Sequence, residues 1–146
     1  VTAIGIKSDD GEIIFMYEDE KETLLMFWEY IRGLKHVRII TFNGIHFDMP
    51  FLIARSMKHN VAIPKIGFHL DLRKVLVPYG GKGKLDDFAG LVHMGKLEID
   101  GEKINGAIAA EMWQERNYER LKQYLLEDLR ITWMLFQRLK QIWWIH

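Results

Sequence analysis

Two aspartates far apart in the sequence are placed where a carboxylate could take part in chemistry. Asp48 lies between the apolar run IITF and an apolar helix pattern, and Asp128 follows Tyr124 by four residues in a long amphipathic pattern. Residues four apart share one face of a helix, so Tyr124 and Asp128 are predicted neighbours. A carboxylate on a largely buried face is costly unless something pairs with it. Asp128 therefore meets a metal ion, meets a lysine or arginine, or lies at the wet edge of its face.

Asp48 has two compatible interpretations. An aspartate followed by Met-Pro and an apolar helix pattern is a good N-cap signal, which is the structural interpretation. The junction between a strand end and a helix start is also where open α/β sheets place their ligands. Asp48 can thus cap a helix and still face a substrate.

The elements around these residues form an alternating pattern. Two β-rich runs joined by a turn at Asp9 to Gly11 predict an antiparallel hairpin. A helix ending near Gly33, the strand VRIITF and a helix with Pro50 in its first turn follow. Beyond them lie a strand in IPKIGFHLDL, the helical patterns LDDFAGLVHM and INGAIAAEMW, and a helix from Tyr118 to about Trp143. We expect a single domain over residues 1–146, with an α/β or α+β sheet covered by helices.

Composition limits the partners and the compartment. Twenty basic residues balance 20 acidic ones, so any anion-binding surface must be local. Metal ions can neutralise phosphate, so a nuclease is not excluded. The chain has no cysteine, no apolar run of membrane-spanning length and no signal-like N-terminus. We expect an intracellular, cytoplasmic protein with no membrane partner.

The chain resembles the DEDD (DnaQ-like) 3′–5′ exonucleases. TFNGIHFDMPFLIAR is similar to their second motif, in the form found in family B DNA polymerase proofreading domains and their stand-alone relatives. YLLEDLRITW is similar to the third motif in its tyrosine (DEDDy) variant, and HLDL and KLDDFAGLVHMGK resemble the segments between them. The resemblance covers about Val37 to Leu139. It implies an RNase H-like α/β fold, a mixed β-sheet with its hairpin strands antiparallel and helices on both faces.

The resemblance also implies roles for individual residues. Asp48 and Asp128 would supply two of four carboxylates that hold two divalent ions, Mg²⁺ or Mn²⁺, about 4 Å apart. Tyr124 would orient the attacking water, and Asn43 and Phe47 would contact the terminal nucleotides. Two structural alternatives stay open, because Phe47 could equally be a core aromatic residue and Tyr124 a buried tyrosine with a satisfied hydroxyl.

The first motif of the family, a central strand carrying Asp-x-Glu, is not found. Asp10-Gly11-Glu12 has the Asp-x-Glu spacing, but it falls in the hairpin turn without an apolar run before it. Loss of a central strand would leave backbone groups of its neighbours unpaired. We therefore expect the motif upstream of Val1 in a longer sequence rather than a natural deletion. In a third arrangement, a partner chain or a second copy adds the strand.

A glycine-lysine loop is a weaker candidate for substrate binding. In YGGKGK, Lys82 and Lys84 could follow a phosphate backbone that the glycines allow to approach closely. A solvated loop is the simpler alternative.

Two functional hypotheses follow. The first is a metal-dependent 3′–5′ exonuclease of replication or repair, acting by two metal ions on single-stranded 3′ ends of DNA or RNA, with DNA preferred. The second is a catalytically incomplete RNase H-like domain that serves as a nucleic-acid-binding or scaffolding module.

Overall fold

A computed structural model describes residues 3–77, 83–92, 98–99, 102–103 and 106–143. Helices and strands alternate along most of this length, as predicted. In chain order they are β1 Ile4–Ser8, β2 Gly11–Phe15, α1 Glu20–Gly33, β3 Ile39–Thr41, α2 Asp48–Lys58, β4 His69–Asp71, α3 Leu72–Leu76, α4 Leu85–Ala89, a 3₁₀ turn Gly90–Val92, β5 Glu98–Ile99, β6 Glu102–Lys103, α5 Gly106–Gln114 and α6 Tyr118–Ile142.

The described strands form pairs rather than one wide sheet. β1 pairs with β2, β3 with β4, and β5 with β6. The β3–β4 pair is parallel, with Ile39 opposite His69 and Thr41 opposite Asp71, and helix α2 makes the crossover between them. The α/β class is confirmed, in the form of an incomplete RNase H-like fold. No described strand joins these pairs into the larger mixed sheet.

The chain divides into two compact units. Unit 1 comprises Val1–Ile4 and Ile14–Tyr79, and unit 2 comprises Gly5–Ile13 and Gly80–His146. The single domain over residues 1–146 stays a prediction. None of the helices in the described part of the chain combines the length and the apolar character needed to cross a membrane.

Helix α1 provides the core of unit 1. Asp19 caps it by accepting a hydrogen bond from the Lys21 backbone N–H at 3.0 Å. Its buried side chains, including Phe27, recur at helical spacing, and Phe15 from β2 packs edge to face on Phe27. The Trp28 indole N–H donates to the Ser56 hydroxyl at 2.9 Å, which attaches α1 to α2.

Helix α6 provides the core of unit 2. Four apolar residues of α6 are buried: Leu121, Ile131, Leu135 and Leu139. Strand β1 lies along the same helix. Gly5 approaches so closely that a Cβ there would lie 2.7 Å from Cδ1 of Leu129, and the Lys7 ammonium lies 5.2 Å from the Trp133 ring centroid.

Candidate functional site at the β3–α2 turn and on helix α6

The turn between β3 and α2 carries Asn43, Phe47 and Asp48. Asn43 has a left-handed backbone with φ of 64°, a conformation that asparagine tolerates better than most residues. Its carbonyl accepts from the Phe47 N–H at 3.1 Å, and the Gly44 carbonyl accepts from the Met49 N–H at 2.8 Å. A Cβ at Gly44 would lie 2.5 Å from Cβ of Thr41. The Asn-Gly pair in the sequence is therefore required by this turn.

Asp71 holds the turn from the neighbouring strand. It is 2% exposed, and its Oδ1 accepts from the backbone N–H of Asn43 at 2.7 Å and of Arg73 at 3.0 Å. Its Oδ2 accepts from the Ile45 N–H at 3.1 Å. Three backbone donors thus compensate one buried carboxylate. Asp71 both caps α3 and fixes the turn that presents Asn43.

A second contact between the strands lies next to this one. The Thr41 hydroxyl accepts from the Gly44 N–H at 3.2 Å and lies 2.8 Å from Nε2 of His69. Burial lowers the pKa of His69, the negative charge of Asp71 opposes that shift, and Lys74 adds to it. The neutral imidazole is therefore favoured in the folded chain.

Phe47 and Asp48 both face solvent. Phe47 is 66% exposed, so the alternative of a core aromatic residue is wrong. Its ring stacks on that of Phe51, with centroids 6.4 Å apart and planes within 9°. Helix α2 begins at Asp48 with Phe47 at the N-cap position, so the N-cap interpretation of Asp48 is also wrong. The Asp48 carboxylate lies in the first turn, where the helix dipole favours negative charge.

Tyr124 and Asp128 lie one turn apart on α6, and both are partly buried. One carboxylate oxygen of Asp128, Oδ1, is shielded from solvent. The Thr132 hydroxyl donates to the Asp128 backbone carbonyl at 2.8 Å. Unit 2 therefore carries a carboxylate and a phenol on neighbouring positions of one helix face.

The structure describes one of the two lysines of the glycine-lysine loop. Lys82 lies outside the described residues. Lys84 is exposed at the N-cap of α4, and its backbone N–H donates to the Asp87 carboxylate at 3.1 Å. The role of both lysines in substrate binding stays a prediction.

Glu12, in the sequence Asp10-Gly11-Glu12, belongs to an ion-pair cluster on the hairpin. Its carboxylate lies 3.1 Å from Nε of Arg130 and 3.6 Å from the Lys7 ammonium. Hydrogen bonding to Arg130 lowers the pKa of Glu12. The cations of unit 2 thus already satisfy this carboxylate, which fits the interpretation that Asp10-Gly11-Glu12 is a hairpin turn rather than the missing motif.

The described residues do not complete a metal site. Within them, no three acidic or histidine side chains come together in a way that could hold a metal ion. Asp48 in unit 1 and Asp128 in unit 2 each provide hard oxygen donors, and a pair of divalent ions needs a cluster of such oxygens.

Two family models match the chain. The one described as the exonuclease domain of DNA polymerase family B matches residues 3–101. The chain belongs to this family. A second model, described as a predicted 3′–5′ exonuclease related to the exonuclease domain of PolB, matches residues 66–143. The family B exonuclease assignment confirms the resemblance of the motifs at the level of the DnaQ-like superfamily, while the DEDDy variant stays a prediction.

Relatives of this family B exonuclease domain differ greatly in length. The uncharacterized protein MJ0365 of Methanocaldococcus jannaschii is 33% identical, over 94% of this chain and 84% of that protein. The catalytic subunit of DNA polymerase epsilon from Eremothecium gossypii is 42% identical over 86% of this chain, which spans only 6% of that polymerase subunit. The family B DNA polymerase of Pyrobaculum calidifontis shares the fold, with a TM-score of 0.78 and 22% identity over 94% of this chain and 21% of that one.

Two features of the turn have weak signals in the sequence. Asp71 precedes LRKVL, and an aspartate directly before a helix is an N-cap signal, here for the short α3. Nothing in that signal indicates that the same carboxylate also holds the β3–α2 turn. Phe51 lies in an apolar helix pattern, and its exposure has no signature in the sequence.

Proposed function

We propose that this domain removes nucleotides from the 3′ end of single-stranded DNA. The observation that carries the proposal is that both family models describe exonucleases, and that together they include Asp48 in one matched segment and Tyr124 and Asp128 in the other. Several relatives are DNA polymerases, which favours DNA over RNA as the substrate.

The residues of the β3–α2 turn bind the end of the strand in this proposal. Phe47 offers an exposed ring on which a terminal base can stack, and Phe51 extends that surface. The side chain of Asn43 provides a donor and an acceptor beside it. The hydrogen bonds that Asp71 accepts hold this turn in place before the substrate arrives, so little ordering of the turn remains to be done on binding.

The residues of α6 act at the scissile phosphate. The Tyr124 hydroxyl orients the attacking water, and Asp128, like Asp48, provides acidic oxygens. Two Mg²⁺ or Mn²⁺ ions, when bound, supply activation of the water and stabilisation of the leaving oxygen. The described residues do not complete a site for these ions, so in this proposal the remaining acidic ligands come from outside the described residues.

One observation favours a second candidate function. No cluster of acidic or histidine side chains that could hold a metal ion occurs within the described ranges. A domain that keeps the fold and the aromatic surface without cleaving would bind single strands as a recognition module.

Incubation of the chain with a 5′-labelled single-stranded oligonucleotide and Mg²⁺ or Mn²⁺ distinguishes the exonuclease from the recognition module. The test variant is Asp128→Asn, and the matched control is Glu119→Gln, which removes an exposed carboxylate from the same helix. A ladder that shortens from the 3′ end, persists in the control and disappears in Asp128→Asn supports the exonuclease. Metal-independent binding without cleavage supports the recognition module. A folded chain that neither cuts nor binds contradicts both.

A further inference from the structure

A cleft in unit 1 lies between the C-terminal end of α1 and the segment before β4. It has a volume of about 490 Å³, which is within the range of ligand pockets. Its wall is strongly basic, and no aspartate or glutamate lines it. The polar side chains that line the cleft are Arg32, Lys35, His36, Arg38 and Lys65.

This concentration of positive charge is unusual for the chain as a whole. Over the full sequence, 20 basic residues are balanced by 20 acidic ones. Within the described residues, Lys35, Arg38 and Lys65 make no ion pair. Arg32 pairs with Glu29 and also donates to the Ala62 carbonyl at 3.2 Å. These contacts fix its side chain in the wall of the cleft. Three exposed cations remain to attract an anion.

An aromatic ring belongs to the same cleft. Phe68 is 42% exposed, and the guanidinium carbon of Arg38 lies 5.9 Å from its ring centroid. The Phe68 carbonyl accepts from the Ile39 N–H at 3.0 Å, which fixes the backbone beneath the ring. An exposed ring among cations matches the surfaces that bind single-stranded nucleic acid, where bases stack and phosphates pair with cations.

The cleft is separate from the β3–α2 turn. Because β3 and β4 are parallel, Arg38 and Phe68 precede the two strands while Asn43 and Asp71 stand at their other ends. The whole of strand β3, Ile39–Thr41, therefore lies between Arg38 and Asn43. The cleft would therefore contact a part of the nucleic acid other than its terminal nucleotide.

We propose that this basic cleft binds a single-stranded nucleic acid through its phosphates, with Lys35, Arg38 and Lys65 as the contacts and one base stacked on Phe68. The proposal shares a nucleic-acid partner with the proposed exonuclease but does not depend on cleavage. An acidic peptide is the other anionic occupant. The exposed ring beside Arg38 favours the nucleic acid, because the bases of a nucleic acid can stack on an aromatic ring and the carboxylates of an acidic peptide cannot.

Fluorescence anisotropy of a labelled single-stranded oligonucleotide, titrated in EDTA at several salt concentrations, tests the proposal. The triple variant Lys35→Ala, Arg38→Ala, Lys65→Ala is compared with Lys21→Ala, Lys122→Ala, Lys140→Ala, which removes three cations that do not line the cleft. Each phosphate contact contributes about 0.7 to the dependence of log affinity on log salt, so the cleft variant should lower that slope by about 2. The control triple should keep the slope of the unmodified chain.

Phe68→Ala gives an independent readout. Its affinity should fall about tenfold at unchanged salt slope, because a lost stacking contact is worth about 1–3 kcal/mol, and Phe68→Tyr should restore it. Equal losses in both triple variants, or an unchanged slope in the cleft variant, would overturn the proposal. So would cleft-dependent binding of polyglutamate without cleft-dependent binding of the oligonucleotide. Since EDTA removes divalent ions, this binding is measured without cleavage, and a failure of the exonuclease proposal would leave the result for the cleft unchanged.

Discussion

The carboxylate of Asp71 accepts a hydrogen bond from the backbone N–H of Asn43 at 2.7 Å, across 28 positions of sequence. This contact joins the end of β4 to the turn that carries the candidate substrate contacts. The family motifs highlight Asn43 and Asp48, but the geometry of their turn depends on a buried aspartate between those motifs. Positioning of the site can therefore be tested separately from its chemistry.

Asp71→Ala should destabilise the chain by about 3 kcal/mol, because buried donors lose their charged acceptor and α3 loses its cap. Urea unfolding followed by circular dichroism measures the change. Asp86→Ala, which removes an aspartate from the first turn of α4, is the comparison. A loss below about 1 kcal/mol in Asp71→Ala would show that the turn holds without this carboxylate.

Gly44→Ala should destabilise the chain by about 1–3 kcal/mol, because its new Cβ would overlap Thr41 and force the backbone to shift. Gly33→Ala is the matched control. A Cβ at Gly33 meets nothing within 4 Å, and alanine in a helix is favoured over glycine by up to about 1 kcal/mol. The midpoint temperature of thermal unfolding should fall in Gly44→Ala and rise in Gly33→Ala. A shift in the same direction in both variants would contradict the packing described at Gly44.

The stability of the chain should fall as pH drops below about 6.5, the ordinary pKa of histidine. Burial lowers the pKa of His69 in the folded chain, so the unfolded chain binds the proton first. The associated stability is complete above the unfolded pKa and is lost as pH falls toward the lowered folded value. The slope contributed by this residue cannot exceed about 1.4 kcal/mol per pH unit.

Urea unfolding between about pH 7.5 and about pH 5.5, values set about one unit either side of the ordinary pKa, measures that slope. His69→Gln should flatten it, whereas His36→Gln, at an exposed position, should not. If the free energy of unfolding changes equally with pH in the unmodified chain and in His69→Gln, the pH dependence does not come from His69.

Phe47→Ala should change the free energy of unfolding by less than about 0.5 kcal/mol, because the ring is largely exposed. Phe27→Ala should cost about 3–5 kcal/mol, because that ring is buried in the core of unit 1. If Phe47 stacks on a terminal base, its variant should also bind a single strand about tenfold more weakly. Intact binding by a folded Phe47→Ala chain would remove Phe47 from the substrate surface.

Local patterns predicted the helices and strands well where the hydrophobic periodicity agreed with the residues that mark the ends of these elements. The boundaries of α1 and α6 follow their apolar spacing, and the parallel neighbours β3 and β4 lie in the predicted runs. Short helix α3 was missed because its five residues give too little periodicity to stand out.

The site was harder to predict than the elements. Sequence patterns located the β3–α2 turn but not its support. The hydrogen bonds that Asp71 accepts from Asn43 and Ile45 join residues that only the folded β3–β4 pair brings together. The exposure of Phe47 depends on what packs beside α2, and the sequence does not encode that locally. The basic cleft could not be predicted either, because the net charge of the chain is zero and the positive residues come together only in the fold.

The single hydrogen-bonded edge of β3 has a consequence for hydrogen exchange. The Ile39 N–H donates to Phe68 on the β4 side, so the alternation of a strand directs the Ile40 N–H away from β4. No described strand covers that side. The Ile40 amide should therefore exchange quickly with deuterium in the isolated chain and slowly once another strand adds there, giving a single-residue report on completion of the sheet.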